Sequence, residues 1–217
     1  MSELTLVYYT ASKIKEPLGR NVRACLVSSS GNKYPIISVS QKPLDFGENI
    51  CVGDIGQSVN NAMKQVLIGA EAARTRYVAL CEDDTLYAPE HFDCRPNGDV
   101  YMYNTNYWFI RKEVYFYRER VAMCNCIAPR DMLIREFSDR FAKYPEGIPH
   151  VGEPGRRGRR LGLFVGALAT FRTREPNVNI LHEEGLAGIR HTRKREEKRM
   201  TLEPWGDVAS LWSRMNE

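Results

Sequence analysis

A chain of 217 residues, 43% of them hydrophobic, is long enough to bury one substantial core and predicts a single domain. No apolar run approaches the roughly 20 residues needed to span a bilayer, and Met1-Ser2-Glu3 lacks the basic and apolar regions of a signal peptide, which points to a soluble, cytoplasmic protein with no membrane partner. Net charge is only +4, yet Arg156, Arg157, Arg159 and Arg160 fall together and are followed by Arg190, Arg193, Lys194, Arg195, Lys198 and Arg199; that asymmetry points to a polyanionic partner or to substrate phosphates.

The first half alternates β-rich runs with helical patterns. Leu4 to Tyr9 reads as a strand, Pro17 to Ser29 as a helix, and Ile36 to Val39 and Ile50 to Val52 as two further strands. From Ser58 to Ala73 the residues Val59, Met63, Val66, Leu67 and Ala70 recur at helical spacing and predict one buried face. Tyr77 to Cys81 is a buried strand. This order predicts a mostly parallel sheet with helices on its faces. Beyond residue 84, Val100 to Ile110 and Val114 to Tyr117 read as strands joined at Arg111-Lys112, where an antiparallel part begins. A helix from Ala128 to Phe141, a Pro/Gly-rich loop over 144–158, a helix to about Phe171 and a strand over Val178 to Leu181 follow. Residues 190–199 read as a mobile loop, and Trp205 to Met215 as a closing amphipathic helix. The six cysteines show no CxxC pair and read as reduced, buried thiols, with no metal and no disulfide.

The most informative segment is Glu82-Asp83-Asp84, three carboxylates directly after an apolar strand. In open α/β sheets the ligand crevice lies outside the carboxyl ends of the strands. Acids clustered there repel one another unless a cation is bound, and oxygen ligands of this kind suit Mg²⁺ or Mn²⁺. A solvated acidic turn is the plain alternative.

Glu82-Asp83-Asp84 resembles the D-x-D motif of GT-A type glycosyltransferases, with Glu in its first position. The resemblance extends to Ile37-Ser38-Val39-Ser40-Gln41, similar to the second strand of family-two-like enzymes, and to Tyr8-Tyr9-Thr10 at the first strand end. It implies a GT-A, Rossmann-like α/β fold over 1–217, with a nucleotide-binding half (1–84) and an acceptor half (85–217). It also implies a nucleotide-diphosphate sugar as donor and a divalent cation as cofactor. Carried over residue by residue, it makes Asp84 a metal ligand and places Glu82 near the ribose or a metal-bound water. Asp83 is kept with the donor set, although neighbouring side chains on an extended segment face opposite ways. Tyr8 and Thr10 become base-pocket candidates, with packing the alternative for Tyr8. Asn179-Ile180-Leu181-His182 resembles the late strand whose His completes the metal site, so His182 is the second ligand.

An inverting transferase needs a carboxylate to take the acceptor hydroxyl's proton. Glu153, in Gly152-Glu153-Pro154-Gly155 ahead of a predicted helix, fits that place better than Asp131. The second half, with Trp108, Glu153-Pro154-Gly155 and His182, resembles compact bacteriophage-type transferases that glycosylate hydroxymethylated pyrimidines in DNA. On that resemblance Trp108, Arg156, Arg157, Arg159, Arg160, Arg190, Arg193 and Lys194 face a DNA acceptor, since phosphate contacts supply most non-specific DNA affinity. A polysaccharide or protein acceptor, nucleotidyl transfer, and a non-enzymatic nucleic-acid-binding protein stay open as readings.

Overall fold

The structure is a computed structural model that describes residues 2–111, 113–147, 152–156, 161–182 and 197–217. Its first half runs β1 (Leu4–Thr10), α1 (Leu18–Ser29), β2 (Ile36–Ser40), β3 (Glu48–Cys51), α2 (Val59–Ala72), β4 (Tyr77–Glu82) and β5 (Thr85–Leu86). The second half runs β6 (Val100–Asn104), β7 (Tyr107–Arg111), β8 (Val114–Tyr117), β9 (Cys126–Pro129), α3 (Arg130–Lys143), β10 (Ala167–Phe171), β11 (Asn177–Ile180), β12 (Glu197–Arg199), β13 (Thr201–Leu202), β14 (Gly206–Asp207) and α4 (Val208–Asn216).

The main sheet has the order β10-β6-β9-β4-β1-β2-β3, and only β9 runs against its neighbours. A second sheet, β12-β8-β7-β11-β5, carries the antiparallel part. This is the mostly parallel, helix-flanked α/β architecture expected of the GT-A type. All seven residues of β1 are buried, as a strand covered on both faces requires. Val7 and Tyr9 face α2 and α3, while Leu4, Leu6 and Tyr8 face Leu26 of α1 and Phe92.

Helix α2 starts where its N-cap is. Ser58 accepts a hydrogen bond from the Asn61 backbone at 3.0 Å, satisfying a donor that the helix itself leaves open. Met63, Val66, Gly69 and Ala70 form the buried stripe. Gly69 lets the helix lie directly on β1 and β2, for a Cβ there would meet Val7 Cγ1 at 2.4 Å. Val59, expected in that stripe, is 45% exposed because it sits on the outer side of the first turn.

The second half departs from the sequence expectations. Residues 100–110 are two strands in different sheets, broken at Thr105-Asn106, because the Asn104 and Asn106 side chains tie to Thr173 at 2.8 and 3.1 Å and turn the chain. Ala128 belongs to β9, and α3 begins two residues later. The helix expected to end near Phe171 is not found among the described residues. Residues 167–171 are β10, paired in parallel with β6. Residues 197–199 are β12 rather than loop, while 190–196 lie outside the described residues. Helix α4 begins at Val208, capped by Asp207 at 2.9 Å, not at Trp205. Cys81, Cys124 and Cys126 are buried as expected, whereas Cys51 is exposed on edge strand β3. Among the described residues, no helix is long and apolar enough to cross a membrane.

Candidate active site

Strand order reverses at β1: β2 and β3 extend to one side, β4 to the other. The carboxyl ends of β1 and β4 therefore diverge into a crevice, with Tyr9 opposite Glu82 in register. An open cleft occupies that place. Tyr9, Thr10 and Lys13 line it from the β1 side, Gln41 from beyond β2, Ser58 and Gln65 from α2, and Glu82, Asp83, Asp84 and His182 from the acidic side.

The second sheet builds the acidic wall. Strand β5 leaves directly from Asp84 and pairs antiparallel with β11, setting Thr85 opposite Asn179. Asn179 then donates to Asp84 Oδ1 at 2.5 Å, and the Ile180 backbone donates to the Asp84 carbonyl at 2.7 Å. The other carboxylate oxygen, Oδ2, faces His182 Nε2 at 3.9 Å. Asp83 is held differently: Thr10 donates to it and in turn accepts from the Ser12 backbone at 2.8 Å. The Glu82 backbone donates to Tyr87 Oη at 3.0 Å, and Tyr87 donates onward to the Cys124 carbonyl at 2.9 Å.

Burial and mutual repulsion dominate the electrostatics. Burial, then the Asp83 charge, pushes Asp84 up to about 7. Glu82 lies well above the usual carboxylate range, through burial and the nearby Asp84, Asp83 and Glu153 charges. Burial also raises Asp83, against the hydrogen bond from Thr10. Three such acids together favour either protons or a cation. Among the described residues no three His, Cys, Asp or Glu side chains converge as a complete metal cage. Asp84 Oδ2 and His182 Nε2 are nonetheless one oxygen and one imidazole nitrogen set side by side, a pair that fits two positions of a divalent cation.

Glu153 stands near this wall without lining the cleft. Its side chain is 25% exposed, Arg120 lies 4.0 Å from its Oε1, and burial raises it against the lowering effect of Arg120 and Arg156. No helix follows it among the described residues; instead Tyr103 donates to the Pro154 carbonyl at 2.8 Å and fixes the segment from below. Asp131 is elsewhere. It is 90% exposed in the first turn of α3, paired with Arg130 at 2.7 Å beside the amino end of β4, opposite the cleft.

Thr10, Glu82, Asp83, Asp84 and His182 are thus brought together. Tyr8 points to the opposite face of β1, packing edge-on against Phe46 at 5.0 Å; Tyr9 takes the cleft position instead. Trp108 is buried in the core of the second sheet, its indole donating to Asn106 at 3.3 Å, so its ring is not a docking surface. Arg156 is exposed and its backbone donates to the Glu153 carbonyl at 3.2 Å. Arg157, Arg159, Arg160, Arg190, Arg193 and Lys194 lie outside the described residues.

Gln65, Gln41 and Lys13 are among the cleft residues that the sequence reading did not assign to the site. Gln65 donates to the Thr10 and Val39 carbonyls at 2.8 and 2.9 Å, tying the ends of β1 and β2 to α2. Its signal was a polar residue inside an apolar helical stripe. Gln41 donates to the Gly56 carbonyl at 2.8 Å, which leaves its buried Oε1 without a partner among the described residues. Lys13 supplies a cation at the rim. Gln41 ends the 37–41 run already noted in the sequence, whereas Lys13 has no pattern of its own.

No protein-family description matches the sequence, and no curated protein matches it. Among solved structures the chain is similar in outline to the bifunctional IspDF of Campylobacter jejuni (14% identity, TM-score 0.49, covering 80% of this chain and 50% of that one). It is likewise similar to a glycosyltransferase involved in glycosylating the major capsid of PBCV-1 (11%, 0.49, 81% and 91%) and to S. aureus TarS (7%, 0.46, 83% and 37%). The chain spans half the length of the first and about a third of the last. Likenesses this distant concern the outline of the chain and carry no argument about its reaction.

Proposed function

We propose that this chain is a metal-dependent glycosyltransferase that moves a sugar from a nucleoside diphosphate to an acceptor hydroxyl, the acceptor being a 5-hydroxymethylpyrimidine in DNA. The observation that carries the transferase reading is the set Glu82, Asp83, Asp84 and His182 at one wall of a cleft opened by the strand-order reversal. The opposite wall suits a nucleoside. Gln41 Oε1 offers an acceptor awaiting an N–H donor, and Lys13 a counter-charge for phosphate.

Asp84 and His182 would hold a divalent cation, which when bound supplies charge stabilisation to the leaving diphosphate. Asn179 orients Asp84 by engaging Oδ1 and leaving Oδ2 toward His182. Thr10 holds Asp83, and Glu153 accepts the proton of the attacking hydroxyl. The DNA acceptor rests on the resemblance and on the basic residues flanking Glu153.

A donor-hydrolysis screen of nucleotide sugars with Mn²⁺ and Mg²⁺, followed by addition of hydroxymethylated DNA, tests the reading. Asp84→Ala should abolish cation-supported donor binding in calorimetric titration while leaving the far-UV spectrum unchanged, because the carboxylate lies at a cleft wall and not in an apolar core. Unchanged donor affinity in this variant removes the metal assignment.

A further inference from the structure

Glu82 and Glu153 lie far apart in the chain, yet both are tied to one short segment, residues 124–126. The Glu82 backbone donates to Tyr87 Oη at 3.0 Å, and Tyr87 donates to the Cys124 carbonyl at 2.9 Å. Two residues on, Cys126 stands opposite Tyr103 in the register of β6 and β9, and the Tyr103 hydroxyl donates to the Pro154 carbonyl at 2.8 Å. Both tyrosines are fully buried, and at that depth bulk water does not replace a lost bond. Glu153 itself heads a tight turn. The Arg156 backbone donates to the Glu153 carbonyl at 3.2 Å, with Pro154 second and Gly155, at φ +82°, third, which is the pattern of a type II turn. A Cβ at Gly155 would meet Tyr101 Cδ2 at 3.1 Å and Leu168 Cβ at 3.3 Å, so the turn lies directly on β6 and β10.

We propose that Tyr103 is a positioning residue for Glu153, its hydroxyl fixing from inside the fold the turn that presents the Glu153 carboxylate; the proposal rests on the transferase reading above. In that reaction the attacking oxygen bonds the anomeric carbon, its proton passes to a Glu153 carboxylate oxygen, and the bond to the diphosphate breaks with its electron pair leaving on the nucleoside diphosphate. A carboxylate takes that proton only within hydrogen-bond reach, about 2.6–3.2 Å, and a misplacement of about 1 Å can cost about 10²-fold in rate. The Glu153 side chain is held loosely, being 25% exposed with Arg120 at 4.0 Å. Its placement therefore depends on the backbone beneath it. Packing alone asks only for a ring at Tyr103, which belongs to the apolar cluster of Leu80, Val121 and Met123; the hydroxyl serves the turn.

Donor hydrolysis by the full chain is the test, because water then stands in for the acceptor hydroxyl and needs the same proton acceptor. With the nucleotide sugar that the wild type hydrolyses, Tyr103→Phe should lower kcat about 10-fold or more while the donor KM stays within about 2-fold. In a Glu153→Gln background the same change should lower kcat by less than about 2-fold, because the group it positions is gone. Gly155→Ala strains the turn at its positive φ and should repeat the kcat loss; if Tyr103→Phe fails to fold, this variant is read against Glu153→Gln in the same way. Tyr115→Phe, in the core of the second sheet, removes a buried hydroxyl that has no partner among the described residues, and should change neither constant. A wild-type kcat in Tyr103→Phe, a donor KM that rises as much as kcat falls, or an equal loss in the Glu153→Gln background overturns the proposal. Absence of hydrolysis by the wild type instead overturns the transferase reading, and the proposal with it.

Discussion

On the proposed reading, Asp84 and Glu153 carry different duties because their surroundings differ. Asp84 is aimed by Asn179 and faces His182, whereas Glu153 sits partly exposed beside Arg120. Replacing Glu153 by Gln keeps size and hydrogen-bonding reach but removes the ability to take a proton. Transfer should fall by about 10²-fold or more, the usual contribution of a general base, while donor binding measured by calorimetry stays near wild type. Transfer at the wild-type rate would point instead to a substrate-assisted route, since Asp131 stands at the other end of the sheet.

Among elements, α2 does the most to place the site. It lies on β1 and β2 through Gly69 and carries Gln65 to the strand ends. Gly69→Ala should destabilise the fold by about 1–3 kcal/mol despite the better helix propensity of Ala, because the new Cβ meets Val7 at 2.4 Å and overpacks the contact. Urea denaturation checks this, and a gain in stability would mean that α2 can shift outward at no cost. This helix was legible in the sequence because cap, period and length agreed. The acidic segment was legible too, since an apolar strand ending in three acids is a local pattern. Strand β10 was not, because Ala167-Leu168-Ala169 suits a helix and only pairing with β6, far away in sequence, makes it a strand. The break between β6 and β7 depends on Thr173, and the exchange of Tyr8 for Tyr9 on which face meets α2, and both are tertiary facts.

For the whole molecule, the acidic wall links stability to pH and, on the proposed metal site, to cations. Asp84, Glu82 and Asp83 are all raised relative to their ordinary values, so between about pH 4 and 7 the folded state binds more protons than the unfolded one. The sign follows: their contribution is most favourable in mild acid and is lost as pH rises through the folded values, near 7 for Asp84. Without divalent cation the melting temperature should therefore carry a downward component from pH 5 to 8. Asp84→Asn should reduce it. Mn²⁺ should raise the melting temperature more at pH 8 than at pH 5, by roughly 2–4 °C for each kcal/mol of linkage. Scanning calorimetry at the two pH values decides, and equal shifts at both would separate the cation from these acids.

One buried side chain in α3 has a consequence for where the segment between Gly155 and Gly166 is held. Glu136 accepts from the Gly166 backbone at 3.0 Å and from the Gly155 backbone at 3.5 Å, with Arg140 3.7 Å away as its counter-charge. Both ends of the excursion between those glycines are thus moored to one carboxylate inside the fold. Between those two glycines, Lys143 also donates to the Leu161 carbonyl at 2.6 Å and the Phe164 backbone donates to Asp139 at 3.0 Å, so the described part of the segment is fastened to α3 and not to the cleft.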